Sequence, residues 1–175
     1  MSAVKAIWAW LMRMPAGRRR VLLLVAVILL GSIYSAYRII NYDPNYIINV
    51  VHPDQLVLKT ETMMRIIGVE CPPVQDDAVG KPAAEFVRSC VLKRAIRVEP
   101  GEEPKDAADW RLGYIFYTRD GKERFLNEDL LRMGYGRHKP VYPNLKYRKR
   151  FEAAEAEARQ KKLGVWAPGY KFPGD

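Results

Sequence analysis

With 175 residues, 49% of them apolar and 28% charged, the chain is long enough to bury one good core and too short for two. A net charge of +9 suggests nucleic acid, but six of the 29 cations (Lys5, Arg13, Arg18, Arg19, Arg20 and Arg38) fall in residues 1–42, where there is no acid. The remaining 23 face 20 acids, a net of only +3, so the overall charge is a weak argument for a nucleic-acid binder.

Residues 1–18 read as a basic cytoplasmic segment, in which Ile7, Trp8, Trp10, Leu11 and Met14 with Lys5 and Arg13 suit either a short interfacial helix or a disordered tail. From Val21 to Ile40 there is one charge in twenty residues, enough to span a bilayer as a helix, and a span is placed at 19–41. Tyr34 and Tyr37 suit the outer interface and Arg38 is near enough to the end to snorkel. Five cations precede the apolar run at Val21, so the N-terminus is expected in the cytoplasm and the rest outside, in the manner of a single-pass protein of a bacterial inner membrane. A cleaved signal peptide is the alternative. The apolar run is long for one, and no small-x-small pair follows it.

A turn-rich connector at 42–46 leads into a barrel domain predicted over 46–167, with a tail at 168–175. Strands are predicted at Tyr46–Val51, Leu56–Leu58 and Met63–Val69, with His52-Pro53-Asp54 and Thr60-Glu61-Thr62 in the turns. Ala83, Ala84, Val87 and Val91 recur at helical spacing within Gly80–Arg94, with Pro82 in the first turn. Strands follow at Ala95–Glu99, Arg111–Tyr117 and Arg124–Leu126, the first two separated by a polar loop at Gly101–Pro104. Asn127 is expected to cap a helix closed by Gly134, and a charged helix runs from Tyr147 to Leu163, stopped by Gly164. The order fits an α+β fold: a five-stranded, oligonucleotide-binding-type barrel with three helices, preceded by one transmembrane helix.

Within this chain, Met64–Pro73 stands out. Arg65 opens a β-branched run and Glu70 closes it before two prolines, so a cation and a carboxylate bracket one strand. Such a pair either holds charge against a phosphate or a metal, or is a surface ion pair framing a core strand. Further on, Arg137, Lys139, Lys146, Arg148, Lys149 and Arg150, interleaved with Tyr142 and Tyr147, suit a nucleic-acid strand or simply a solvated helix start. Cys71 and Cys90 are too few for a zinc site without the two scattered histidines, and are compatible with a disulfide or with two buried thiols.

Four segments in order, Arg65-Ile66-Ile67-Gly68-Val69-Glu70-Cys71-Pro72, Leu112-Gly113-Tyr114-Ile115, Asn127 through Gly134, and Glu155–Ala158 leading to Leu163-Gly164-Val165-Trp166, resemble the staphylococcal-nuclease-like (thermonuclease) family over about residues 46–167. The resemblance implies a calcium-dependent phosphodiesterase acting on DNA and RNA. Its chemistry needs an attacking water, a base, oxygen ligands for the ion and two arginines on the phosphate.

Carried over by position, Asp54 matches the first carboxylate ligand, Arg65 the first arginine, and Glu70 the second ligand, where the family usually has the shorter Asp. Cys71 offers only its backbone carbonyl. Two positions depart from the pattern. Pro73 stands where the family has a glutamate base, and Trp110 stands where it has the second arginine. Arg111 is one place late and, on a strand, faces the opposite side unless a bulge slips the register. Asp76 and Asp77 are the candidates for a replacement base.

The expectation is therefore a membrane-anchored nuclease-like domain with a degenerate site and no required cofactor, serving as an accessory or interaction subunit of a membrane complex. An active calcium-dependent nuclease on the outer face of the membrane is the alternative, and a non-catalytic single-strand binder the third possibility.

Overall fold

A computed structural model of the chain describes residues 5, 10, 12–40 and 42–173. The expected interfacial helix around Ile7 to Met14 lies mostly outside them. The chain divides into two compact units, Met1–Tyr42 and Asp43–Asp175.

The first unit is built on α1 (Ala16–Ile40). From Ala16 to Ile39 it is long and apolar enough to cross a membrane, and none of that apolar surface is buried within the chain.

The second unit is a curled mixed sheet with three α-helices. Its elements are β1 (Ile47–His52), β2 (Gln55–Leu58), β3 (Met63–Ile66), β4 (Val69–Glu70), α2 (Gly80–Val91), β5 (Arg97–Lys105), β6 (Arg111–Arg119), β7 (Lys122–Phe125), α3 (Leu126–Arg132), β8 (Arg137–His138) and α4 (Arg148–Gln160), then a 3-10 turn at Gly164–Trp166. Sheet order is β1-β2-β3-β6-β5, with β7 also on β6, and β3 runs parallel to β6 while every other pairing is antiparallel. A bridge between Tyr46 and Ala95 carries the β1 edge back toward β5, so the sheet curls into the half-closed barrel expected of an oligonucleotide-binding-type fold.

The strand count departs from five for two local reasons. The predicted strand Met63–Val69 breaks at Gly68, whose φ of +77° turns the chain out of the sheet, so Val69 and Glu70 pair instead with β8. A Cβ at Gly68 would stand 2.7 Å from the Phe151 ring, so the turn needs glycine for space as well as conformation. The turn at Asp120-Gly121 lets β7, the strand expected at Arg124–Leu126, fold back on β6 and count as a sixth. The supposed loop at Gly101–Pro104 lies within β5, held there by Asn144, whose side chain exchanges hydrogen bonds with the backbone of Glu103 at 2.9 and 3.0 Å.

Inside the curl, Ile47, Val50, Leu56, Leu58, Met64 and Ile66 pack with Ile115 and Leu130, all almost fully buried. Helix α2 lays Ala83, Ala84, Val87 and Cys90 onto this core. Cys71 and Cys90 are both free and buried.

Asn127 does not cap α3. The helix begins at Leu126, and the fully buried Asn127 side chain accepts a hydrogen bond from Ile115 N (2.9 Å) and donates to Ile67 O (2.8 Å). Those two backbone groups sit where β3 turns away from β6, and a side chain that both donates and accepts satisfies them together.

Candidate active-site cleft

The turn Pro53-Asp54 joins β1 to β2, with His52 paired to Gln55 across it. Asp54 O accepts from Ile66 N at 2.9 Å, and Gln55 pairs with Arg65, so β3 brings Arg65 alongside the turn that carries Asp54. β3 and β6 run in unbroken parallel register, placing Arg65 beside Leu112. Gly68 then swings β4 around so that Glu70 faces the same opening. The result is a cleft of about 310 Å³ whose walls include His52, Asp54, Arg65, Glu70, Leu112 and Lys139.

Three of the four expected site carboxylates and arginines thus converge. Asp54 is almost buried, and its Oδ1 is hydrogen-bonded to His52 Nδ1, a contact that the turn position of His52 did not announce. Arg65 is held by a different pair: its Nη1 lies 3.5 Å from Asp106 Oδ2 and its guanidinium packs over the Trp110 ring at 5.0 Å. Arg65 Nε and Asp106 Oδ2 are buried without hydrogen-bond partners among the described residues.

Glu70 is engaged on both oxygens. Arg137 Nε donates to Oε2 at 2.9 Å, and Lys139 Nζ donates to Oε1. Pairing of Glu70 with Arg137 across β4 and β8, and a Lys139 N to Gly68 O bond of 3.1 Å, put both cations there. Burial pushes the Glu70 carboxyl up, but the two hydrogen-bonded cations outweigh it and hold the group below its ordinary value. Next to it, burial and then the charges of Asp54 and Glu70 push the Cys71 thiol well above its usual range, so it stays protonated.

The remaining sequence candidates lie elsewhere. Arg111 pairs with Met64 with no slip in the register, and its Nη1 reaches Asn45 Oδ1 at 3.3 Å rather than the cleft. Pro73 stands outside the cleft walls, its carbonyl accepting from Asp76 N at 2.9 Å and crowding Gly80, where a Cβ would meet it at 1.8 Å.

Asp76 and Asp77 are corrected as candidate bases. Asp76 Oδ1 accepts from the backbone of Ala78 (2.8 Å) and Val79 (3.1 Å) at the start of α2, and its Oδ2 accepts from Tyr170. Asp77 is exposed and lies 3.5 Å from Lys81. Both serve the helix turn, as short acids at a helix start commonly do.

Of the basic residues of the later segment, Arg137, Lys139, Lys146, Arg148 and Arg150 are engaged with acids. Arg137 and Lys139 are spent on Glu70, Lys146 bonds Glu99 at 2.5 Å, and Arg148 bonds Glu152 at 2.6 Å one helical turn on.

The two carboxylates that a divalent ion implied by the resemblance would use already have partners. Among the described residues no three His, Cys, Asp or Glu side chains gather as a metal site. Of the two carboxylates available, one already accepts from two cations and the other from His52.

A half-closed barrel with a cleft lined by Asp54, Arg65 and Glu70 at the mouth of β3 defines the class: an oligonucleotide-binding-type scaffold. The chain belongs to the staphylococcal nuclease homologue family, which residues 63–168 match. It is 31% identical over 131 residues to a thermonuclease of Staphylococcus hyicus, covering 69% of this chain and 74% of that protein. It is 34% identical over 143 residues to a thermonuclease of Staphylococcus intermedius, covering 78% and 77%.

Proposed function

We propose that this protein is a membrane-anchored nuclease-like domain whose catalytic site is degenerate, acting as an accessory or interaction subunit of a membrane complex. The observation that carries the reading is Trp110. At the position where the family's second arginine is expected, an indole packs on the guanidinium of Arg65, so the one retained arginine is held by an aromatic and an acid. Pro73, at the position of the general base, has no group that takes a proton. Loss of a base costs about 10²- to 10⁴-fold and loss of a charge-stabilising donor about 10²- to 10³-fold, although such losses rarely multiply in full. α1 supplies the anchor, with the basic N-terminus in the cytoplasm and the barrel outside.

Full-length protein in mild detergent, incubated with single-stranded DNA and calcium, tests the reading. No cleavage is expected even at high protein concentration. Cleavage that vanishes in Arg65→Ala would replace it with the alternative, an active nuclease at the outer membrane face. Co-purification in the same detergent is expected to bring down partner subunits. A chain that travels alone and binds single strands with a steep salt dependence would instead make it a nucleic-acid binder.

A further inference from the structure

We propose that the cleft carries its own substitute for a divalent cation: Arg137 and Lys139 neutralise Glu70 in the place of a metal ion, and the C-terminal segment holds Arg137 there. This extends the degenerate-site reading above.

Arg65 on the cleft wall is paired with Asp106, which leaves two acids to be matched. Asp54 and Glu70 bring two negative charges to the cleft, and Arg137 and Lys139 bring two positive charges, the same charge a divalent ion would supply. Their delivery is built into the backbone, because Arg137 is the register partner of Glu70 in the β4–β8 ribbon and Lys139 N is bonded to Gly68 O. A carboxylate that accepts a guanidinium on one oxygen and an ammonium on the other has little capacity left for an ion that needs several oxygens at once.

The tail completes the arrangement. Arg137 stacks on the Phe172 ring at 4.0 Å, and Tyr170, two residues earlier, donates its hydroxyl to Asp76 Oδ2 beyond the Pro73 turn. Phe172 therefore covers the face of the guanidinium whose edge binds Glu70, while the Tyr170–Asp76 bond fixes the segment that carries Phe172. A stacked guanidinium keeps its edge in a fixed plane, which suits a directed bond to a carboxylate.

The test is terbium luminescence, with calcium competition, on full-length protein in detergent micelles; terbium stands in for calcium and is sensitised by nearby aromatic rings. Wild type is expected to give no saturable signal up to millimolar ion. Arg137→Gln with Lys139→Ala is expected to gain a saturable, calcium-competed site with Kd of about 10⁻⁴ to 10⁻³ M, the range of weak extracellular calcium modules. Adding Glu70→Gln is expected to abolish it. Phe172→Ala, which leaves the cleft residues in place, is expected to give a weaker gain. Circular dichroism and a thermal melt establish that each variant is folded, and the exposed single change Lys139→Ala serves if the double variant does not fold.

Saturable binding by wild type at submillimolar ion, or a folded variant that gains nothing, overturns the proposal. The cleavage assay separates this from the reading it rests on. Wild type that binds ion without cutting DNA overturns only the built-in cation. Wild type that cuts DNA without binding ion overturns only the degenerate site.

Discussion

The guanidinium of Arg65 packs over the indole of Trp110 at 5.0 Å, and Asp106, four residues before Trp110, lies 3.5 Å from the same guanidinium. Thus the β5–β6 loop supplies both groups that position the cleft's arginine. Cation–π contacts of this kind contribute about 0.5 to 2 kcal/mol, enough to hold one rotamer against solvent. An arginine held this way keeps its guanidinium on the cleft wall, with Trp110 where the family pattern has a second arginine.

The first prediction concerns reinstatement. Pro73→Glu with Trp110→Arg returns a proton acceptor and a second guanidinium to the positions at which the family pattern has them. Combined with Lys139→Ala, which frees one oxygen of Glu70, the triple variant is expected to cleave single-stranded DNA at least about 10²-fold faster than wild type in calcium, the lower bound for one recovered catalytic group. The initial rate of fluorescent oligonucleotide cleavage measures it. A folded triple variant no faster than wild type would place the missing chemistry outside these three positions.

Asn127 gives a prediction about stability. Replacement by Ala leaves Ile115 N and Ile67 O buried without their partner, at about 1 to 3 kcal/mol for each unsatisfied group. A loss of about 2 to 5 kcal/mol is expected in urea unfolding of residues 43–175. Asn127→Asp is expected to cost a similar amount, because the carboxylate keeps the acceptor and loses the donor to Ile67 O.

Much of the barrel was legible in the sequence because its signals are local: alternation in β1 to β3, helical spacing in α2, a glycine stop after α4. What was not legible depends on contacts between distant residues. Asn127 carries the signature of a helix cap in the sequence, and only the departure of β3 from β6 at Gly68 makes it a tie between strands. In the site, Arg65 and Glu70 were named from one short motif and Asp54 from the turn after the first strand. Lys139 stood 69 positions from Glu70 and read as part of a basic run, because pairing of β4 with β8 leaves no periodic trace in two-residue strands. The contact of Trp110 with Arg65 was hidden likewise, although the absence of arginine at position 110 marked the place to look.

Gly68 tests the turn that aims Glu70. At φ +77°, and with a Cβ destined for 2.7 Å from the Phe151 ring, Gly68→Ala is expected to lose about 1 to 3 kcal/mol in the same urea assay, from left-handed strain and the displaced ring together. Phe151→Leu in the Gly68→Ala background is expected to recover part of that loss by removing the clashing ring edge. If the two changes simply add, the ring is not what the new methyl meets.

His138 sets a pH dependence. Burial pushes its imidazole below the ordinary histidine value, against the smaller opposing charges of Glu155 and Glu152, and its ring lies edge-on to Phe151 at 5.7 Å. The unfolded chain therefore takes up the proton more readily than the folded one. The stabilising contribution is complete above about pH 6.5, the unfolded value, and is lost as pH falls through the lower folded value. The urea midpoint is expected to drop between pH 7.5 and 5.5, and His138→Gln is expected to flatten that drop. An unchanged slope in the variant would assign the acid sensitivity to other groups.

α1 provides the last prediction, and it separates an anchor from a cleaved leader. From Ala16 to Ile39 the helix buries none of its apolar surface within the chain, which suits lipid, detergent or removal. Full-length protein is expected to remain in the membrane pellet after alkaline carbonate extraction, while residues 43–175, which form a compact unit of their own, are expected in the supernatant. Intact-mass measurement of the membrane fraction is expected to retain the N-terminal basic segment. A mature chain beginning after the apolar run would make α1 a processed leader and release the barrel from the bilayer. In that case the proposed membrane-complex role fails, while the cleft keeps its geometry, because Asp54, Arg65 and Glu70 are all positioned by strands within the second unit.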